Sequence, residues 1–255
     1  MFYSLACWKV IRGAELSDEK GTIPAIIRLQ DVVIGYSAAN PLVRIPNLEI
    51  FPGEIVAIAG PSGVGKTTLL RTIAGLVRPI SGIVEVCGEI SPSRPKRGEL
   101  GYVPQRLGLI RHASVLHNVM LGANAGHKPR WSPIPSSMAK DRAIQAISSM
   151  GLSEKTKEPI RRLSGGQQRR VATARTLAQS PSLIMADEFL SELDDETMST
   201  VLSAVTNYIR ENNAALLVVE HDVSRARKMA DRMLVIDDGR VNPFITETTA
   251  VEVKV

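Results

Sequence analysis

An apolar run, EIVAIAG (54–60), stops at a glycine and passes at once through PSGVG into the helix-like KTTLLRTIAGLV (66–77). A buried strand, a tight turn and then a helix make a βα unit. Residues 60–67, GPSGVGKT, match G-x-x-x-x-G-K-[ST] in full, in the strand-to-helix context the pattern requires. Gly60, Gly63 and Gly65 let backbone N–H groups wrap phosphates, Pro61, Ser62 and Val64 complete the loop, and the helix start adds its positive dipole end. Lys66 faces the β and γ phosphates as a cation, Thr67 offers Mg²⁺ a hydroxyl, and Thr68 continues the first helical turn.

A chain of 255 residues, 44% hydrophobic and 22% charged, is long enough and apolar enough to bury a core. Its two cysteines, Cys7 and Cys87, build no disulfide framework, and neither belongs to a metal-ligand spacing. The net charge of +5 is clustered in RPKR (94–97), RR (161–162), RR (169–170) and RARK (225–228), which read as solvated helix and loop faces. No zinc-finger, RNA-recognition or basic-zipper spacing accompanies that charge, so nucleic acid is not the expected partner. No window supplies about twenty uncharged apolar residues, so the chain is expected to reach a membrane only through other subunits.

Strand signals in IIRLQDVVIGY (26–36), LVRIPNLEI (42–50), SGIVEV (81–86) and ELGYVPQ (99–105) flank the phosphate loop. From 107 to 162 the spacing turns helical in SVLHNVMLGA and SMAKDRAIQAISSM, around a proline-broken KPRWSPIPSS. Strand and helix then alternate through SLIMADE (182–188), DDETMSTVLSAVTNYIRENN, ALLVVEH (215–221), VSRARKMAD and RMLVIDDG (232–239). Apolar strands alternating with amphipathic helices imply a mostly parallel sheet covered on both faces. The final TETTAVEVKV reads as a last strand or a loose tail.

The strand LIMA ends in adjacent carboxylates, Asp187 and Glu188. In a parallel sheet all strand ends open on one edge, which brings Asp187 beside the phosphate loop as a partner for Mg²⁺. Glu188, one residue on, is then the candidate general base toward an attacking water. A second anion site is written at LSGGQQRR (163–170): Ser164 caps a helix start while the N–H groups of Gly165 and Gly166 remain bare.

With these residues in this order, the chain from about 26 to 240 resembles the nucleotide-binding subunit of an ABC (ATP-binding cassette) transporter. Tyr36, GPSGVGKT, Gln105 in GYVPQ, LSGGQ, SLIMADE, SELD (191–194) and His221 in VVEHD together carry that resemblance. It implies an α/β fold of the P-loop NTPase, RecA-like type: a mostly parallel sheet core, an N-terminal antiparallel β subdomain and an inserted α-helical subdomain at about 107–168. It implies an extension at 1–24, a cassette at 25–240 and a tail at 241–255. It also implies an ATPase whose two copies face head to tail, each Ser164–Gly165–Gly166–Gln167 binding the γ-phosphate held by the other chain, with Asp194 in the dimer contact. By the same resemblance Tyr36 stacks on adenine, Gln105 senses Mg²⁺ and the attacking water, and His221 contacts the γ-phosphate. From the residues alone, Tyr36 is equally well a packing residue, and His221 could serve as a structural cap although its spacing from Glu188 favours the functional role.

Expected partners are a second nucleotide-binding subunit, transmembrane permease subunits and a substrate-binding protein, with the chain on the cytoplasmic side of the membrane. The helical section is similar in wording to that of importers of the phosphonate type. The alternative, a soluble ABC ATPase acting on ribosomes or DNA, usually carries two cassettes or a coiled-coil or iron–sulfur insertion, and the sequence has none of these. One departure stands out: where the family usually has proline after the two carboxylates, this chain has Phe189.

Overall fold

A computed structural model describes residues 23–127, 136–190, 193–221 and 223–243. The N-terminal stretch to 22, most of KPRWSPIPSS, Ser191 and Glu192 of SELD, and TETTAVEVKV lie outside the described residues. The strands are β1 (Ile27–Ser37), β2 (Asn40–Ile50), β3 (Ile55–Ala59), β4 (Ser81–Val86), β5 (Glu89–Ile90), β6 (Leu100–Val103), β7 (Leu183–Asp187), β8 (Ala215–Glu220), β9 (Arg232–Asp237) and β10 (Arg240–Pro243). The helices are α1 (Lys66–Ile73), α2 (Val115–His127), α3 (Ser137–Ser149), α4 (Gly165–Ala178), α5 (Asp195–Asn212) and α6 (Val223–Met229).

These strands form a single sheet in the order β5-β4-β1-β2-β10-β9-β3-β8-β7-β6. β1 pairs antiparallel with β2 and β4, as the family resemblance implies, and β9, β3, β8, β7 and β6 run parallel. The hinge between the two halves is β10, which runs antiparallel to β9 and meets β2 at Arg240 and Arg44. Sequence reading missed this strand, because RVNP offers neither alternation nor length. The expected boundary at 240 therefore falls inside a ladder that continues to Pro243.

β3, β7 and β8 are buried along their whole length, so their continuous apolar runs serve two cores at once. Ile55, Ala57, Ile184, Ala186, Leu216 and Val218 face one core, which also holds side chains from α2, α3, α4 and α5. Their alternates Val56, Ile58, Leu183, Met185, Leu217 and Val219 face the other, against α1 and the N-terminal strands. The helical section thus shares its apolar interior with one face of the sheet.

Phe189 is 1% exposed in the first core and Leu190 is fully buried beside it. The residue that replaces the usual proline anchors its loop by burial rather than by a fixed φ.

α2 crosses α4 at very short range through glycines one turn apart. A Cβ at Gly122 would lie 1.9 Å from the Arg175 carbonyl oxygen, and one at Gly126 would lie 1.9 Å from that of Gln179. At Gly165 a Cβ would meet nothing within 4 Å. Gly122→Ala is therefore expected to cost about 2–3 kcal/mol of stability in a urea titration, and Gly165→Ala less than about 0.5 kcal/mol. Equal midpoints for the two variants would contradict the close crossing.

Candidate active site

Sheet order assembles the candidate residues. The strands β3, β8, β7 and β6 lie side by side and point the same way, so Gly60, His221, Asp187–Glu188 and Gln105 leave one edge in that sequence. The phosphate loop bends back tightly over β3. Gly65 stands before α1 at φ 110°, where a Cβ would press 2.8 Å from Val43 Cγ2 on β2.

Lys66 is 5% exposed, and its ammonium donates to the carbonyls of Gly60 at 2.6 Å and Pro61 at 2.8 Å. His221 Nδ1 stands 3.4 Å from Lys66 Nζ. Burial lowers the Lys66 pKa, and the carboxylates of Glu188 and Asp187 pull it back up. The loop thus folds around a desolvated cation at the height where an anion would meet its backbone N–H groups.

Asp187 closes β7 and is 6% exposed. Its Oδ2 accepts from Thr67 Oγ1 at 3.3 Å and from Tyr102 Oη at 3.4 Å, so β6, β7 and α1 meet at one carboxylate oxygen. Burial pushes the Tyr102 phenol up to about 12, which keeps it a donor. The oxygens of Thr67 and Asp187 form the hard donor set that suits Mg²⁺.

Glu188 leaves the strand at φ 51°, and its carboxylate is met from both sides. Gln105 Nε2 donates to Oε2 at 2.7 Å, and His221 Nε2 contacts Oε1. The main chain at this bend is tied down as well: Glu188 N donates to the Val219 carbonyl at 2.9 Å, and Arg169 Nη1 donates to the Glu188 carbonyl at 3.3 Å. Sequence reading had the RR pair at 169–170 on a solvated face; Arg169 is instead 6% exposed, because α4 is buried on almost every side.

The helix start at LSGGQ has the cap expected. Ser164 is the N-cap of α4 and forms a capping box with Gln167: Ser164 Oγ accepts from Gln167 N at 3.2 Å, and Gln167 Oε1 accepts from Ser164 N at 3.1 Å. Ser164 and Gly165 are exposed. Asp194, the N-cap of α5, stands close by: a Cβ on Gly166 would lie 3.9 Å from its Oδ2. Tyr36 is 83% exposed at the end of β1, so it is not a packing residue. Ser62, Gly63 and Thr67 are exposed, and Val64 and Thr68 half-buried.

A family profile described as ABC transporter matches residues 43–191. The chain is 42% identical over 229 residues to a phosphonates import ATP-binding protein of Hyphomonas neptunium, with 87% of each chain covered. The chain belongs to the ABC transporter family. A hypophosphite import ATP-binding protein of Stutzerimonas stutzeri is 38% identical over 84% of this chain, which spans 66% of that relative. A lipoprotein-releasing system ATP-binding protein of Maricaulis maris is 36% identical, with 80% of this chain and 90% of the relative covered. The fold matches a dimeric ATP-binding cassette solved in a post-hydrolysis state with ADP and phosphate, at TM-score 0.73 and 30% identity, covering 84% of this chain and 96% of that one.

The cassette is accordingly an ATP-binding and ATP-hydrolysing transport subunit, and the ribosome or DNA alternative finds no support among these proteins. Among the described residues no helix is long and apolar enough to cross a membrane.

Tyr102 escaped sequence reading because alternation along a four-residue strand does not say which neighbour its hydroxyl reaches. The same held for Arg169, since a paired arginine on a helix reads as surface charge. For Asp187 the electrostatics have a sign that can be tested. Burial, then the nearby Glu188, raise its pKa, so the fold binds that proton more tightly than the unfolded chain does. Stability falls as pH rises from the unfolded value through the raised folded one. Asp187→Asn is expected to raise the melting temperature of the nucleotide-free cassette at pH 7.5, because it removes a desolvated carboxylate from beside Glu188. A lowered melting temperature at pH 7.5 would contradict this reading.

Proposed function

We propose that ATP binds with its phosphates in the loop completed by Pro61, on the backbone N–H groups of Gly60, Ser62–Gly65 and Thr67–Thr68, with Lys66 against the β and γ oxygens and Tyr36 stacked on adenine. The buried Lys66 ammonium at the head of a wrapped glycine loop carries this reading. On nucleotide binding that ammonium exchanges two neutral loop carbonyls for anionic phosphate oxygens, so that both partners of the contact are ionised.

Thr67, Asp187 and Gln105 would hold Mg²⁺. When bound, the ion would neutralise phosphate oxygens and so ease phosphoryl transfer. Glu188 takes the proton of the attacking water, and Gln105 and His221, both bonded to its carboxylate, keep that carboxylate and the water in line with the γ-phosphorus. His221, between Lys66 and Glu188, then contacts a γ-phosphate oxygen. Ser164, Gly165, Gly166 and Gln167 of one chain, with Asp194 beside them, close over the nucleotide held by the loop of another. The exposed cap, with its bare N–H groups, supports that role.

The cassette, residues 25–240 with its ladder extended to Pro243, works as a dimer on the cytoplasmic side of a membrane. It is bound there to permease subunits through the helices of about 107–168. The names of the phosphonate and hypophosphite relatives support a phosphorus oxyanion as the cargo, which a substrate-binding protein would deliver.

Lys66→Ala is expected to weaken ATP binding about 10- to 100-fold, the value of one hydrogen bond to a charged group; wild-type affinity in a fluorescent-nucleotide titration would refute the loop assignment. Glu188→Gln is expected to bind ATP normally and to release phosphate at least about 100-fold more slowly. A wild-type rate would move the base to His221.

A further inference from the structure

α4 begins at the exposed Ser164 cap, and behind it stand two arginines under two turns apart, ~9 Å along the axis. Each reaches a different catalytic loop. Arg169 Nη1 donates to the carbonyl of Glu188 at 3.3 Å. Arg175 Nη1 donates to the Gly108 carbonyl at 2.9 Å and Nη2 to that of Leu107 at 2.7 Å, within the loop that starts at Gln105. The circuit is closed by Gln105 itself, whose amide donates to Glu188 Oε2 at 2.7 Å.

The loop after Gln105 has no regular structure until α2, so its carbonyls need partners from elsewhere. Arg175 supplies two of them. The fully buried Asn118 of α2 fixes the far end, accepting from Ile110 N at 2.7 Å and donating to Ile110 O at 3.2 Å. Glu188 is likewise held at a positive φ between the Val219 carbonyl and Arg169. A planar guanidinium spanning two carbonyls fixes direction as well as distance.

We propose that Arg169 and Arg175 are positioning residues that set the Glu188–Gln105 pair from the helix whose first turn is the LSGGQ anion site. The proposal rests on the reading of Glu188 as general base. A small displacement of α4, as its Ser164 end closes on a partner's nucleotide, moves both arms of the pair together. The second chain thereby tunes the base of the first as well as completing a phosphate site.

The test compares kcat and KM for ATP, ADP affinity and melting temperature in Arg175→Lys, Arg169→Lys, Gln105→Ala and Gln105→Ala/Arg175→Lys. A lysine keeps the charge but replaces the planar fork with one nitrogen on a flexible stem, so the direction of the contact is no longer fixed. Arg175→Lys and Arg169→Lys are expected to melt near the wild type and to lose about tenfold or more in kcat, the scale of a misplaced catalytic group. KM and ADP affinity stay within about twofold. The double variant is expected to show the kcat of Gln105→Ala alone, because Arg175 acts through that residue.

Wild-type kcat in either folded lysine variant, or losses that multiply in the double variant, would overturn the proposal. If Arg175→Lys does not fold, Arg175→Gln, which keeps one amide donor, takes its place with the same expectation. Wild-type hydrolysis by Glu188→Gln would bring down the general-base reading and this proposal together. A slow Glu188→Gln beside a fully active Arg175→Lys would bring down this proposal alone.

Discussion

The parallel ladder β3-β8-β7-β6 is the constraint on which the rest depends. Each strand is apolar on both faces or nearly so, and therefore has to sit between two cores. Once four such strands lie parallel, their carboxyl ends share one edge, and the order in which they neighbour each other decides which chemistry meets which. Here it sets His221 between the lysine loop and the Asp187–Glu188 pair, with Gln105 on the far side. The reactive cluster follows from where apolar strands can be buried.

That edge gathers like charges at a cost. Asp187 and Glu188 are adjacent, Asp187 is nearly buried, and the compensating cation, Lys66, is itself desolvated. Three features keep the arrangement in place. Hydroxyl donors from Thr67 and Tyr102 meet Asp187, Gln105 and His221 meet Glu188, and buried Phe189 and Leu190 anchor the bend. Negative charge poised beside an ammonium and a wrapped loop is the ground state of a site that gains stability when nucleotide arrives.

Local signals were legible in the sequence wherever a short motif has one physical solution. GPSGVGKT fixed a strand, loop and helix, and Ser164 with Gln167 fixed a helix start with its capping box. Long-range partners were not legible. The Tyr102 hydroxyl, the Arg169 guanidinium and β10 act across the fold, where strand pairing and helix crossing decide the contacts. Charge clusters misled at Arg169 for the same reason: nothing local distinguishes an arginine that hydrogen-bonds a buried carbonyl from one that meets water. The resemblance supplied the meaning of Tyr36, which by residue type alone was as well suited to packing.

The central claim is that the bare helix start at Ser164–Gly166 awaits the nucleotide of another chain. It is tested most directly by the mass of the Glu188→Gln cassette in solution, by light scattering, with and without ATP and Mg²⁺. A monomer is expected without nucleotide and a dimer with it, and the dimer should be lost in Glu188→Gln/Ser164→Arg while ATP still binds. A cassette that binds ATP and stays monomeric, or a dimer indifferent to Ser164→Arg, would contradict it.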